Sequence, residues 1–464
     1  MSRRMALSAF SFVFSFARPF AISVRAAARI ALFTLVILAA SANARAQVSL
    51  THGPVTGGVD ANDAEVFTRT SDVATVAIQY STDSGMANPT TSSSVTTSSA
   101  SDFTSIISLS SLSPETPYYL NVLVNGVPQL SSPYPTFTTF PVAGSVRQFN
   151  FVYLTDFAAQ STQATGVAFT AFAHAAAENP KFAYIGGDFD HSGPITLNAK
   201  QTMFKTLYDP TQTGLADFVN LILRGMPIVH QWDDHDSGPD NDSKTYNGWN
   251  LAYQVFREYV PMYNTPALPP AVYQKFNYAQ VDFFSLDCRS QRNDEYEIDN
   301  QHKSMLDGNH LGPNGELAWL KNGLLSSTAT WKVVLSSVVT NPTTRFTDGW
   351  AGYQTEWNAL RGFIQKNNIK NVVVLAGDLH FGGIDNGVAS GLPEMLVGNV
   401  NIDTGTSTCR AGNVGKWSEG TYYNDQGPCY QYGLVQVLTN PDRLVLQDKD
   451  DQGNVRVSYT LNAN

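Results

Sequence analysis

The sequence predicts two unlike parts: an all-β sandwich over residues 47–141 and a layered α/β region over residues 148–464, behind an export segment of 46 residues. Two patterns predict this. From Val48 to about Phe140, short alternating runs such as Glu65-Val66-Phe67-Thr68-Arg69 and Thr75-Val76-Ala77-Ile78-Gln79-Tyr80 are divided by Ser, Thr and Gly clusters, the period of half-buried strands between turns. Beyond Phe149 the apolar runs alternate with stretches of helical spacing, the signature of βαβ units and a parallel sheet.

The first 46 residues hold six arginines and no acid, with an apolar run from Ile30 to Ala40 and small residues at Ala44 and Ala46. That layout is a secretory signal, with cleavage expected after Ala46. The run is about half of what a membrane-spanning helix needs, and no uninterrupted span follows it. A soluble periplasmic or extracellular protein is expected. Ser2-Arg3-Arg4 fits a twin-arginine signal, and a Sec signal fits as well.

The 418 residues after Ala46 carry 23 basic and 39 acidic groups, a net charge of −16. Such a surface does not neutralise a nucleic-acid backbone, so nucleic-acid binding is excluded as the core function. The three cysteines, Cys288, Cys409 and Cys429, show no zinc-type spacing. In an oxidising compartment Cys409 and Cys429 are placed to close a loop, leaving Cys288 free.

Within the β region, Leu112-Ser113-Pro114-Glu115-Thr116-Pro117-Tyr118 followed by Leu120, Val122 and Val124 resembles the fibronectin type III pattern, in which a tyrosine packs a strand corner; Asn125-Gly126 then favours a tight hairpin. A linker is expected over 141–147. In the α/β region, Phe149 to Leu154 is a strand, Phe169, Phe172, Ala173 and Ala176 recur at helical spacing, and Phe182 to Ile185 is a second strand. Further strands are expected at Ile228–Trp232, Val281–Leu286, Trp331–Ser337 and Val372–Ala376, with helices near Gly315–Leu325 and Tyr353–Gln365.

Four of these strands run directly into acids and histidines. The endings are Thr155-Asp156, Gly186-Gly187-Asp188-Phe189-Asp190-His191, Trp232-Asp233-Asp234-His235-Asp236 and Gly377-Asp378-Leu379-His380. Carboxyl ends of strands in open α/β sheets converge on one crevice. A single Gly-Asp after a strand reads as a turn or cap, but three carboxylates in Asp233 to Asp236 after an apolar strand are costly without a partner. Crowded like charges require protons or a cation, and oxygen plus imidazole donors without thiolates suit iron, manganese, calcium or zinc.

These motifs also resemble a family, the alkaline phosphatase D (PhoD-type) group of the calcineurin-like metallophosphoesterases. Gly53-Pro54-Val55-Thr56-Gly57-Gly58-Val59 with Val66-Phe67-Thr68-Arg69-Thr70 resembles its N-terminal β domain, and Trp232-Asp233-Asp234-His235-Asp236 its Trp-Asp-Asp-His-acid signature; Phe283 to Arg289, Leu317-Ala318-Trp319-Leu320 and Gly377 to His380 follow in the family's order. Two motifs depart from it. Where the family places Ser-Cys and Gly-Asp-Tyr-Ile-Tyr, this chain has Thr155-Asp156 and Gly187-Asp188-Phe189-Asp190-His191. With Asp156 and His191 in place of Cys and Tyr, the family's iron preference is not expected to carry over, nor a tyrosinate-to-iron colour.

The resemblance implies hydrolysis of phosphate mono- or diesters by two metal ions, with Asp188 bridging and Asp156, His191, Asp234, Asp378 and His380 completing the ligand shell. Such a pair lowers the pKa of a bound water and clamps the phosphoryl oxygens for in-line displacement. His235 is the candidate for stabilising the transition state or protonating the leaving oxygen, with direct metal binding as the alternative. Arg289 and Arg292 are candidates for bidentate contact with substrate phosphate, an ion pair with a nearby acid being the alternative. Trp232, Tyr246 and Trp249 are left unassigned and Asp287 is read as structural. The expected substrate is a small phosphate ester, a phospholipid or a polymer. Two rival readings are a phospholipase D-like diesterase and a non-catalytic secreted binding protein stabilised by calcium.

Overall fold

The computed structural model describes residues 47–157, 170–212, 214–264, 270–401, 414–423 and 430–464. The export segment and the Cys409/Cys429 pair lie outside these residues.

In chain order, the first part contributes β1 (Leu50–Gly57), β2 (Ala64–Thr70), β3 (Thr75–Ser81), β4 (Thr104–Leu109) and β5 (Pro117–Val124). The α/β region opens with β6 (Phe149–Leu154), α1 (Thr170–Ala177), β7 (Ala183–Ile185), α2 (Leu197–Leu207), β8 (Ile228–His230), α3 (Asp234–Ser237) and α4 (Trp249–Tyr259). It continues through β9 (Gln274–Tyr278), β10 (Val281–Ser285), α5 (Glu316–Ser326), β11 (Trp331–Leu335), α6 (Gln354–Lys366), β12 (Val372–Ala376), β13 (Gly382–Asn386), β14 (Pro393–Leu396) and β15 (Gly420–Tyr422), and ends with β16 (Gln431–Leu438), β17 (Arg443–Asp450) and β18 (Val455–Asn462).

Two large sheets face each other. One has the order β18-β17-β16-β6-β7-β8-β1-β2-β4 and the other β9-β10-β11-β12-β14-β13-β15. β6, β7 and β8 are mutually parallel, as are β10, β11, β12 and β14, so their carboxyl ends finish at common edges. Alternation along the strands explains the layering. Phe151 and Tyr153 point into the core between the sheets with Phe283, Val333 and Leu375; their neighbours Val152 and Leu154 point the other way, beneath α1 with Phe172, Phe204 and Phe256. On the far side Phe284, Val334 and Val374 pack under α5 and α6 with Leu320 and Trp357. Strands covered on both faces read as unbroken apolar runs, which is how β6 and β12 read.

The first part does not keep its strands to itself. β3 and β5 are the two long strands of a separate six-stranded sheet, whereas β1 pairs in parallel with β8 at Gly57 and Ile228, so β1, β2 and β4 extend the large sheet. A side chain at Gly57 would lie 2.2 Å from the Pro261 carbonyl oxygen, so only glycine permits this junction. The Asn125-Gly126 turn has both residues at positive φ, the conformation a two-residue hairpin needs, and Ser113 N–H donates to the Tyr118 hydroxyl at 2.9 Å. From α2 and α4, Lys205 and Tyr259 reach Asp102 on the loop before β4, which Arg69 also holds. Burial opposes the ionised Asp102 carboxyl, yet bonds from Arg69, Tyr259 and Lys205 bring it down to about 2.

Candidate metal centre

Four strand ends deliver the site. β6 leads to Asp156, β7 to Asp188 and His191, β8 to Asp234 and His235, and β12 to Asp378 and His380. The first three lie side by side in one sheet and the last comes from the facing sheet. The backbone is bent sharply to present them: φ is 56° at Asp156, 55° at Asp188, 79° at Asp378 and 57° at His380. A non-glycine residue in this region costs about 1 kcal/mol or more, and four such residues in one site mark a conformation imposed by the surroundings.

Part of that imposition is visible at Gly187, where φ is +100° and a Cβ would lie 2.6 Å from the Asp233 nitrogen. Glycine there lets the ends of β7 and β8 abut. Asp236 then ties them together. Its carboxylate accepts N–H bonds from Asp188 at 2.8 Å, Phe189 at 2.7 Å and Asp233 at 2.9 Å, and Lys200 Nζ donates to the carbonyls of Asp236 and Ser237. Asp233 caps α3 and is held by Arg289 and by the Ser337 hydroxyl at 2.8 Å.

The ligand-type atoms gather into three overlapping groups, each with its atoms within 4.8 Å of one another: Asp156, Asp188, His191 and His380; Asp188, Asp234 and His235; and Asp188, Asp233, Asp234 and Asp378. Asp188 belongs to all three. Between the histidines, His191 Nε2 lies 3.1 Å from His380 Nε2 and 3.5 Å from Asp188 Oδ2, while His380 Nε2 lies 3.4 Å from Asp156 Oδ1. His191 Nδ1 is 2.9 Å from the Phe157 carbonyl, which only accepts, so Nδ1 carries the hydrogen and Nε2 presents a lone pair. Burial, with His235 nearby, lowers the His191 pKa to about 4; the ring is neutral.

The electrostatics call for positive charge. Burial and then neighbouring carboxylates push Asp156, Asp188 and Asp378 well above the ordinary carboxyl range. Asp234 alone goes down: burial opposes its ionisation, but Arg289 and then His235 overcome that. Among the described residues, neither oxygen of Asp156 has a hydrogen-bond partner, nor does Asp378 Oδ2 or His235 Nδ1, and all are buried. Buried acceptors without donors are costly, and a cation satisfies them together. The residues therefore fit a metal of the oxygen- and imidazole-binding kind.

Of the two readings of Arg289, substrate contact and an ion pair with a nearby acid, the structure shows the ion pair. The Arg289 guanidinium has no exposed surface, and its donors go to Asp233, to both oxygens of Asp348 at 2.9 and 2.7 Å, and to Asp378 at 3.3 Å, with Asp234 at 3.5 Å. A side chain sealed behind the carboxylates offers nothing to a substrate phosphate; it supplies the countercharge that holds them. Arg292 is equally buried and donates to Asp348 and to the Asp242 carbonyl. Asp287 is structural, accepting from Trp232 Nε1 at 2.9 Å and from the amides of Val272, Arg289 and Ser290. Trp232 and Trp249 are core residues. The sequence places Asp236 in the acidic motif without a role of its own, and it does not single out Asp348. The capping pattern of Asp233 and Asp236 was available, but Asp348 carries no motif.

Above the carboxylates opens a cavity of about 190 Å³ lined by Asp188, His191, Asp234, His235, Asp240, Asn241, Phe346, Asp378 and His380. His235 faces it, with its amide N–H donating to Asp234 at 3.0 Å and its Nε2 lying 3.6 Å from Asp240 Oδ1.

Comparison with known proteins agrees with this geometry. The sequence model of the family described as PhoD-like phosphatase matches residues 154–404, and that of the PhoD-like phosphatase N-terminal domain matches residues 37–141. The chain belongs to the PhoD-like phosphatase family. Among curated relatives, alkaline phosphatase D of Bacillus subtilis (strain 168) is 27% identical over 291 residues, which is 54% of this chain and about half (49%) of that protein. Among solved structures, one described as the structure of PhoD superposes with a TM-score of 0.68 at 19% identity, covering 88% of this chain and 90% of its own. The purple acid phosphatase PPD1 from yellow lupin seeds shares the fold, with a TM-score of 0.58 at 12% identity over 88% of this chain and 74% of its own.

Proposed function

We propose that this chain is a metal-dependent hydrolase of phosphoric esters, acting outside the cytoplasm after loss of residues 1–46, with 148–464 as its catalytic part and 47–141 as an accessory β module. One observation carries the reading: Asp188 offers oxygen to each of three overlapping ligand groups, the placement of a carboxylate shared by two cations. A two-metal site supplies the positive charge that activates water and offsets charge on the phosphoryl oxygens.

The chain's own residues do the rest. Asp156, His191 and His380 would hold one ion with Asp188. Asp234 and Asp378 would hold the other, the first kept ionised by Arg289. Through its Phe157 contact, His191 keeps the Nε2 lone pair free, so that it would be able to bind an ion. His235, partly exposed to the cavity, holds a proton at Nε2 for the leaving oxygen. Phosphate mono- and diesters of small alcohols, lipids or polymers are the substrate classes, and iron, manganese, zinc or calcium the candidate ions.

The test is elemental analysis of the purified mature protein alongside turnover of nitrophenyl phosphate and bis-nitrophenyl phosphate at alkaline pH. Two equivalents of metal are expected, with activity abolished by chelation and by Asp188→Asn or Asp234→Asn in folded protein. Full turnover in those variants would defeat the proposal.

A further inference from the structure

The cavity wall carries one carboxylate that the ligand groups do not use. Asp188, Asp234 and Asp378 each belong to a group able to hold a cation, whereas Asp240 belongs to none. Its side chain is 76% exposed and stands 3.6 Å from His235 Nε2, at the place where a leaving group would be protonated. Among the described residues that line the cavity there is no lysine or arginine; Arg289 and Arg292 are buried behind the carboxylates. From the described residues, a phosphate group entering here meets positive charge at imidazoles and at any bound ions, and it meets a negative charge at Asp240. Beside it Phe346 gives the same cavity an apolar wall.

Resting on the hydrolase reading above, we propose that Asp240 is a specificity-determining residue. It penalises esters that bring a second negative charge to the cavity, above all dianionic monoesters, relative to monoanionic diesters whose second substituent is neutral and can lie against Phe346. The size of the bias follows from Coulomb's law. One extra unit of charge about 6 Å from a rim carboxylate, at an effective dielectric between the surface value and that of water, amounts to about three- to tenfold in relative rate. Mobile ions screen such an exposed pair, so added salt should weaken the bias.

The experiment compares kcat/KM for nitrophenyl phosphate and for bis-nitrophenyl phosphate in the metal-loaded parent and in Asp240→Asn, at low and at high salt. The monoester-to-diester ratio is expected to rise about three- to tenfold in Asp240→Asn at low salt. In the parent it should rise with salt, and in the variant it should stay nearly flat. A merely structural role for Asp240 would move both esters together, so a ratio unchanged by substitution and by salt overturns the proposal. If the parent with its metals turns over neither ester, the hydrolase reading itself fails, an outcome distinct from an unchanged ratio.

Discussion

Arg289→Gln is the substitution whose consequences follow most directly from the geometry. The guanidinium is fully buried and serves Asp233, Asp348 and Asp378 at once. Burial alone would disfavour its charge, but Asp233, Asp234 and Asp348 reverse the effect and keep it protonated. Glutamine leaves those carboxylates in the same low-dielectric setting without their countercharge, a loss of about 3–5 kcal/mol for breaking a buried ion pair from one side. A bound cation partly replaces the missing charge, so the loss should be largest in chelator-treated protein and smaller with metal. Arg289→Lys keeps the charge but not the planar fork, and should lose about 1–3 kcal/mol. Urea denaturation followed by tryptophan fluorescence reads the change, because Trp232 is bonded to the same loop through Asp287. A metal-free Arg289→Gln protein within about 1 kcal/mol of the parent, with an unchanged denaturant slope, would refute the assignment of Arg289 as the organiser of these carboxylates.

Three further outcomes follow, two from the same site and one from α6. The Asp156 carboxyl, raised above its unfolded value by burial and then by Asp233, binds its proton more readily in the fold, so its own contribution to the stability of metal-free protein is full below about pH 4 and is lost as the pH rises. Asp156→Asn should remove part of that loss: at pH 8, without metal, it should exceed the parent by about 1–3 kcal/mol while retaining less metal, and a parent that gains stability on the variant between pH 5 and 8 would contradict this. Gly187→Ala meets both a positive φ and the Asp233 nitrogen at 2.6 Å, and should lose more than about 2 kcal/mol and its metal; Gly362→Ala on exposed α6, where nothing lies within 4 Å, should instead gain about 0.5–1 kcal/mol.

Much of the centre was legible in the linear chain because its signals are local. Each ligand follows an apolar run, and two-sided burial forces such a run to be a strand covered on both faces: the expected Val372–Ala376 is β12 itself, and the expected helices at 315–325 and 353–365 fall within a residue of α5 and α6. Parallel strands end on a common side, so Asp156, Asp188 and Asp234 had to approach one another once their sheet formed, while Asp378 joins them from the facing sheet. Tertiary packing alone decided which charges pair. Arg289 follows a strand in the sequence as a substrate-binding arginine would, but the facing sheet turns it inward onto Asp233, Asp348 and Asp378, with 59 residues separating Arg289 from Asp348. Likewise, alternating residues identify β1, β2 and β4 as strands, while their junction with β8 depends on backbone contact at Gly57. Periodicity records which face of an element is apolar; it carries no information on the neighbour that face or that charge will meet.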